Sequence, residues 1–290
     1  MTKMEFTPKK SVLRGAIKLI RPKQWIKNLF VMAPLVFSGK FLDLQSITLA
    51  VSAMVIFCLT SSAVYILNDI NDCEKDRAHP QKRVKRPIAA GMISIRQAWQ
   101  LLVLFYVLIL LSLCYIPQIA LVIIAYIALN IAYTYKLKHM PVVDIFCIAI
   151  GFVLRTVAGT LAIGVVLSQW MFITTLCLAL YLASIKRRQE LVKSGSAGRS
   201  ILGKYSVQLV TRYSEMSATG ALIFYSLYVI SEHQNMVMTI PLVLFGLFRY
   251  WYNVESLDGG ESPTDSLLSD TPLILTIVGW IGSCLYLLLP

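Results

Sequence analysis

The sequence predicts an all-α, polytopic membrane protein of about nine transmembrane helices. Three observations lead there. Hydrophobic residues make up 57% of the chain and charged residues only 14%. Mean hydropathy is +0.69, and apolar runs of span length recur from end to end. A water-soluble domain carries roughly 25% charged residues, so a soluble enzyme or binding module is excluded. At 290 residues the spans leave no sizeable soluble part, and 1–290 reads as one transmembrane domain. The net charge of +12 could suggest nucleic acid. In a membrane protein it follows instead from the positive-inside bias, and no nucleic-acid partner is expected.

Taken in order, residues 1–28 are basic and interrupted, which reads as no cleavable signal peptide. Candidate spans fall near 26–44, 46–70, 94–114, 117–135, 141–164, 168–185, 207–231, 236–254 and 271–289. Pro34 and Gly39 interrupt the first. With the N-terminus cytoplasmic, nearly all of the 27 basic residues fall on that side. They lie before the first span, in loops near 72–93, 136–140 and 186–206, and at the end of span eight. Lys40 lies outside, and Arg155 falls within a span. The long loops after spans two and six hint at two related halves. The six cysteines lack metal-like spacing, so neither a zinc site nor a disulfide is expected.

The most informative stretch is Asn68-Asp69-Ile70-Asn71-Asp72-Cys73-Glu74-Lys75-Asp76. If span two continues as a helix, Asn68, Asp72 and Asp76 stack on one face at i, i+4 and i+8. Asp69 lies within about 60° of that row. Carboxylates so placed repel unless a cation sits among them, and Mg²⁺ is usually shared between one or two carboxylates and substrate phosphates. A solvated helix end explains a bare DxxxD equally well. Here the acids run into His79-Pro80-Gln81-Lys82-Arg83-Val84-Lys85-Arg86-Pro87, and arginine offers forked donors to phosphate oxygens. Acids followed by such a loop make a reasonable diphosphate site.

Asp144 and Arg155 lie about three turns apart on one side of span five, Arg155 roughly 16 Å deeper. An intramembrane arginine faces a polar cavity or a partner. It reads either as a donor to an anionic group at the cavity floor or as half of a structural ion pair. Lys186-Arg187-Arg188-Gln189-Glu190 has one acid where the first half has a cluster; topology-setting charge is the plainer reading, anion binding the other. The loop from Glu255 through Gly259 and Gly260 to Asp270 suits a mobile lid or a plain turn. Arg21-Pro22-Lys23-Gln24-Trp25-Ile26-Lys27-Asn28 reads as an interfacial anchor, with room for phosphate binding by Lys23, Lys27 and Asn28. His79, His139 and His233 share no spacing, and none is assigned catalysis.

With these residues in hand, the chain resembles the UbiA superfamily of intramembrane prenyltransferases, whose first signature, NDxxDxxxD, is matched by 68–76 without a gap. Tyr133-Thr134-Tyr135-Lys136 closing span four and the nine-span plan extend the likeness over nearly the whole chain. Within the superfamily it is similar to the decaprenyl-phosphate phosphoribosyltransferase branch. That likeness rests on RPKQWIKNLFVMAPLVFSGK (21–40), HPQKRVKRPIAAG (79–91), GFVLRTVAG (151–159) and GGESPTDSLLSD (259–270). The resemblance implies helices around a central cavity open to the cytoplasmic side of a bacterial inner membrane. It implies Mg²⁺-dependent transfer of 5-phosphoribose from phosphoribosyl diphosphate (PRPP) to a polyprenyl phosphate, in making lipid-linked sugar precursors of the cell envelope. Self-association into a homo-oligomer is left open.

On that reading Asn68, Asp72 and Asp76, assisted by Asp69, hold Mg²⁺ on the donor diphosphate. Lys82, Arg83 and Arg86 neutralise the leaving group. Lys136, Arg155, Lys186 and Arg187 are candidates for the 5-phosphate and the lipid phosphate, with Tyr135, Asp144 and Glu190 beside them. Aromatic prenyltransferases carry a second aspartate-rich motif after span six; KRRQE there has only Glu190, which speaks against two-metal chemistry. An aromatic prenyltransferase is the first alternative. A lipid flippase is the second, disfavoured because its polar residues should run across both leaflets.

Overall fold

The computed structural model describes residues 12–78, 82–194, 201–256 and 269–289. Among these every regular element is helical. Six helices are long and apolar enough to cross a bilayer: Leu44–Asn71, Ile95–Tyr115, Pro117–Tyr135, Val143–Ile163, Gln169–Lys193 and Gln234–Ser256. A seventh apolar helix, Thr271–Leu287, is shorter. The chain is an integral membrane protein of all-helical fold.

Three of the nine expected spans are not among the six: 271–289, whose helix is the shorter one, and two others. The helix at Val207–Glu232 forms at full length, but Thr211, Arg212, Ser214, Glu215, Ser217 and Thr219 crowd its first half, and it is not among the six. The expected first span, 26–44, is not one α-helix. Residues Pro22–Met32 form a 3₁₀-helix and only Ala33–Phe37 is α-helical. Runs of 3₁₀ beyond three or four residues are uncommon, and their side chains eclipse every third residue. Asn28 and Val31, one such turn apart, are both fully buried, and Pro34, just beyond in the α-helical piece, is buried too. Pro34 lacks the N–H that would close a 3₁₀ bond to the Val31 carbonyl.

Helices are numbered α1 (Val12–Ile20), α2 (Ala33–Phe37), α3 (Leu44–Asn71), α4 (Cys73–Ala78), α5 (Lys82–Lys85), α6 (Ile95–Tyr115), α7 (Ala120–Tyr135), α8 (Val143–Ile163), α9 (Gln169–Ser194), α10 (Val207–Glu232), α11 (Ile240–Ser256) and α12 (Thr271–Leu287). They pack as two compact units, one of Met1–Trp25 with Ile56–Tyr115, the other of Ile26–Val55 with Ile116–Pro290. In the first unit Gly15 of α1 lies so close to Ile93 that a Cβ there would stand 2.9 Å from its Cγ1.

In the second unit α8 packs on α7, α9 and α2, α9 packs on α10, and α11 on α12. Small residues explain how α8 is buried along most of its length, since they let helix backbones approach closely. At Gly159 a Cβ would collide with the Val31 carbonyl oxygen. Because that obstacle is backbone, Gly159→Ala is expected to lower stability by about 1–3 kcal/mol, read as a reduced melting temperature in detergent. Gly164, at φ +64°, ends α8 in the left-handed conformation.

Candidate active site

The acid-rich end of α3 keeps its helical register past the boundary. Asp72 N–H donates to the Asn68 carbonyl at 2.9 Å, and Asp76 N–H to the Asp72 carbonyl at 2.8 Å. Asn68, Asp72 and Asp76 therefore do share one face, although a turn at Asp72 separates α3 from α4. Asp72 is half-buried and Asp76 buried.

Asp69 is buried too, and it faces arginines. Its Oδ1 accepts from Arg21 Nη2 and from Arg86 Nη1, the latter at 3.0 Å. Arg86 Nε and Lys82 Nζ also approach Asp76, both at 3.8 Å. One carboxylate thus gathers two guanidinium groups beside the acid row. Arg21 stacks on Tyr65, 4.6 Å from the ring centroid. It adopts φ +53°, rare for a residue with a side chain. By sequence, Arg21 reads only as part of the interfacial stretch 21–28 and not as a partner of the acids. Arg83 is exposed. His79, Pro80 and Gln81 lie outside the described residues.

Among the described residues no three His, Cys, Asp or Glu side chains already form a metal cage. The donor set nevertheless fits Mg²⁺, which keeps several waters and takes one or two carboxylates along with substrate phosphates. Asp72 and Asp76 supply the carboxylates and Asn68 an amide oxygen. Asp69 Oδ2 is buried without a hydrogen-bond partner, a costly state that a ligand or water at the cluster would relieve.

In the second unit the expected anion-binding residues largely bind one another. Arg187 is fully buried and donates from Nε to Asp144 Oδ2 at 2.5 Å, from Nη1 to Glu190 Oε2 at 2.6 Å and from Nη2 to Tyr133 Oη at 2.9 Å. Tyr205 donates to the other Asp144 oxygen at 2.6 Å and accepts the Val142 N–H at 2.5 Å. Burial, then this bond to Asp144, push the Tyr205 hydroxyl well above the ordinary tyrosine range, so it remains a donor. Val142 sits at φ +67°, ψ −47°, with Val143 N–H on the Pro141 carbonyl at 2.8 Å. This is the rare, strained form of γ-turn, and its residue is β-branched. The Tyr205 contact holds it in place and sets Asp144 at the first turn of α8. Tyr133, though part of the Tyr133–Lys136 stretch that supports the family likeness, and Tyr205 were not among the expected site residues, and a lone tyrosine such as Tyr205 gives no sequence signal.

Arg155 is likewise turned to the protein. It donates to Asn28 Oδ1 and the Gly151 carbonyl, both at 2.7 Å, and to Tyr126 Oη at 2.9 Å, with its guanidinium over the Tyr126 and Phe152 rings. Of the two readings of Arg155, the geometry favours a partner within the protein over a donor at a cavity floor: it forms a buried hub joining α7, α8 and the 3₁₀ segment. Asn28, also expected at a phosphate, is fully buried in the same hub. Lys23, Tyr135 and Lys136 are exposed, and Lys27 and Lys186 half-buried. The expected lid is bracketed by Arg188 to Glu255 at 2.6 Å and Arg249 to Asp270 at 2.8 Å; residues 257–268 between them lie outside the described residues.

The sequence profile of the UbiA prenyltransferase family matches residues 29–265. The chain belongs to the UbiA prenyltransferase family. Among relatives of this UbiA-family chain, the decaprenyl-phosphate phosphoribosyltransferase of Mycolicibacterium smegmatis is 36% identical over 95% of the chain and 93% of the relative. The protein of that name from Corynebacterium glutamicum is 35% identical over 94% and 86%. Among solved structures, a UbiA homologue from Archaeoglobus fulgidus bound to GPP and Mg²⁺ superposes with a TM-score of 0.70 at 19% identity, covering 94% of this chain and 99% of that one. The expected UbiA fold is thereby borne out, as is the family resemblance.

Proposed function

We propose that this UbiA-family enzyme transfers 5-phosphoribose from PRPP to a polyprenyl phosphate, releasing diphosphate. The observation that carries this reading is the row of Asn68, Asp72 and Asp76 in unbroken helical register beside Arg86 and Lys82. Oxygen ligands next to a cationic edge suit a diphosphate shared with a divalent ion. The sugar phosphate comes from the two relatives' names, at 36% and 35% identity over nearly the full chain.

Asn68, Asp72 and Asp76 would hold Mg²⁺, which when bound neutralises charge on the diphosphate. Lys82, Arg83 and Arg86 donate to the diphosphate oxygens, with Asp69 orienting Arg86 and Arg21. A phosphate oxygen of the polyprenyl phosphate forms the new bond to ribose C1 as the C1–diphosphate bond breaks, and diphosphate leaves with that electron pair. The nucleophile is already anionic and needs no strong general base, consistent with three histidines that share no spacing in the sequence. Lys136 and Lys186 are candidates for the 5-phosphate and the lipid phosphate, while Arg155 and Arg187, held by partners within their own unit, act as positioning residues there. Basic loops support an N-terminus and site on the cytoplasmic side of what the family resemblance implies is a bacterial inner membrane, where the product would feed lipid-linked sugar synthesis for the envelope.

The test is purified protein with radiolabelled PRPP, a polyprenyl phosphate and Mg²⁺. Label entering the organic phase, and lost with chelator, supports the proposal. No label across several chain lengths, with turnover of a prenyl diphosphate and an aromatic acceptor, overturns it. Glu190, the one acid of the KRRQE stretch near the end of α9, pairs with Arg187, which weighs against that second chemistry.

A further inference from the structure

Helix α1 has a feature that the proposed reaction does not use. At about 100° per residue, Val12, Leu13, Ala16, Ile17 and Ile20 fall within an arc of about 140°, with Arg14 about 60° beyond its edge and Lys18 on the opposite face. The helix docks by its other edge, where Gly15 and Leu19 are buried and Gly15 meets Met92 and Ile93. The apolar arc stays uncovered: Leu13 is 71% exposed, Ile17 50% and Val12 49%. Arg14 and Lys18 are exposed as well, and Lys3, Lys9 and Lys10 precede them in the sequence.

The far end of α1 is tied to the acid cluster. The Ile20 carbonyl accepts from Ser62 Oγ at 2.9 Å, and Ser62 Oγ accepts from Trp25 Nε1 at 3.0 Å. Between them Arg21 pairs with Asp69. Its left-handed backbone immediately precedes Pro22, a position that restricts the preceding residue. Such a conformation persists only while its surroundings hold it. A helix that tilts away at Leu13 would draw Arg21 from Asp69.

We propose that α1 is an interfacial helix whose Val12, Leu13 and Ile17 edge seats in the bilayer while Arg14 and Lys18 engage anionic phospholipid headgroups, and that this seating keeps Arg21 on Asp69. An amphipathic helix with basic residues on its polar face is the form that lies in the headgroup layer of anionic membranes. Charge complementarity selects that occupant over a second copy of the chain, whose Arg14 side chain, bordering the same apolar arc, would meet its like charge and repel. The consequence for turnover rests on the proposed reaction; the lipid seating does not.

The test is hydrogen exchange of the α1 amides in full-length protein, one copy per nanodisc, in phosphatidylcholine alone or doped with phosphatidylglycerol. Two basic side chains at the surface lead to exchange slower by up to about thirtyfold in the anionic discs. Arg14→Gln with Lys18→Gln is expected to abolish the difference, and Leu13→Glu with Ile17→Glu to speed exchange in both lipids, with α6 protection unchanged in each variant. Equal exchange of the wild-type helix in the two lipids overturns the proposal. So does protection in neutral discs on adding only polyprenyl phosphate, which would assign the helix to substrate, or only with two copies per disc, which would assign it to self-association. Transfer activity is read separately: it should fall in the Gln variant to its neutral-lipid level. Absence of transfer in every lipid would sink the proposed reaction and leave the exchange result standing.

Discussion

Asp72→Asn and Asp76→Asn each lower transfer of labelled phosphoribose into lipid by at least about a hundredfold, while the purified proteins stay folded. The substitution keeps the shape of the side chain and removes the charge that a divalent ion requires. Asp72 is half-buried at a turn, so its replacement costs little stability. Asp76 is buried near Arg86 and Lys82, and its variant should melt somewhat lower. Glu74, exposed on the same stretch but off the acid face, supplies the control: Glu74→Gln should retain full activity. Asp69→Asn separates two roles. Its carboxylate holds Arg21 and Arg86, so the expected change is a raised KM for PRPP with little change in the Mg²⁺ concentration giving half-maximal rate. For Asp72→Asn that Mg²⁺ requirement itself should rise. Full activity in Asp72→Asn or Asp76→Asn would remove the metal assignment.

How far these residues were readable depends on the range of the interaction that fixes them. The acid row was legible because it follows from one helical period, and the Asp72 and Asp76 backbone bonds keep that period across the break. The long apolar helices were legible for the same reason. The 3₁₀ segment was not. Pro34 and Gly39 announced an interruption, but the choice of a threefold period depends on Asn28 and Val31 docking against Arg155 and Gly159, more than a hundred residues away. Arg155 and Arg187 show the same limit. Sequence marks a charge in an apolar run as needing a partner, yet it does not separate a substrate phosphate from Asn28, Tyr126 or Asp144. The family likeness was of no help there, since it transfers motifs and not side-chain pairings. Tyr205 was invisible because its importance comes from a strained turn at Val142, a property of the backbone.

The buried cluster around Arg187 carries the largest expected effect on stability. Asp144→Ala leaves a fully buried guanidinium with only Glu190 and Tyr133, and removing one partner of a buried ion pair costs roughly 3–5 kcal/mol. Tyr205→Phe removes one hydrogen bond to Asp144 and leaves the Val142 N–H unpaired, for about 1–3 kcal/mol. The double variant Asp144→Leu with Arg187→Leu should recover much of the loss, because an apolar pair has no desolvation cost to offset; Glu190, partly exposed, can turn to solvent. Thermal unfolding in detergent measures all three and gives the coupling energy, and the transfer kinetics of the double variant separate the possible roles. If Arg187 only positions α8 against α9, the double variant regains stability together with most of its transfer activity. If Arg187 also meets a substrate phosphate, stability returns while the KM for PRPP or for the lipid phosphate stays high, and the substrate affected identifies the phosphate.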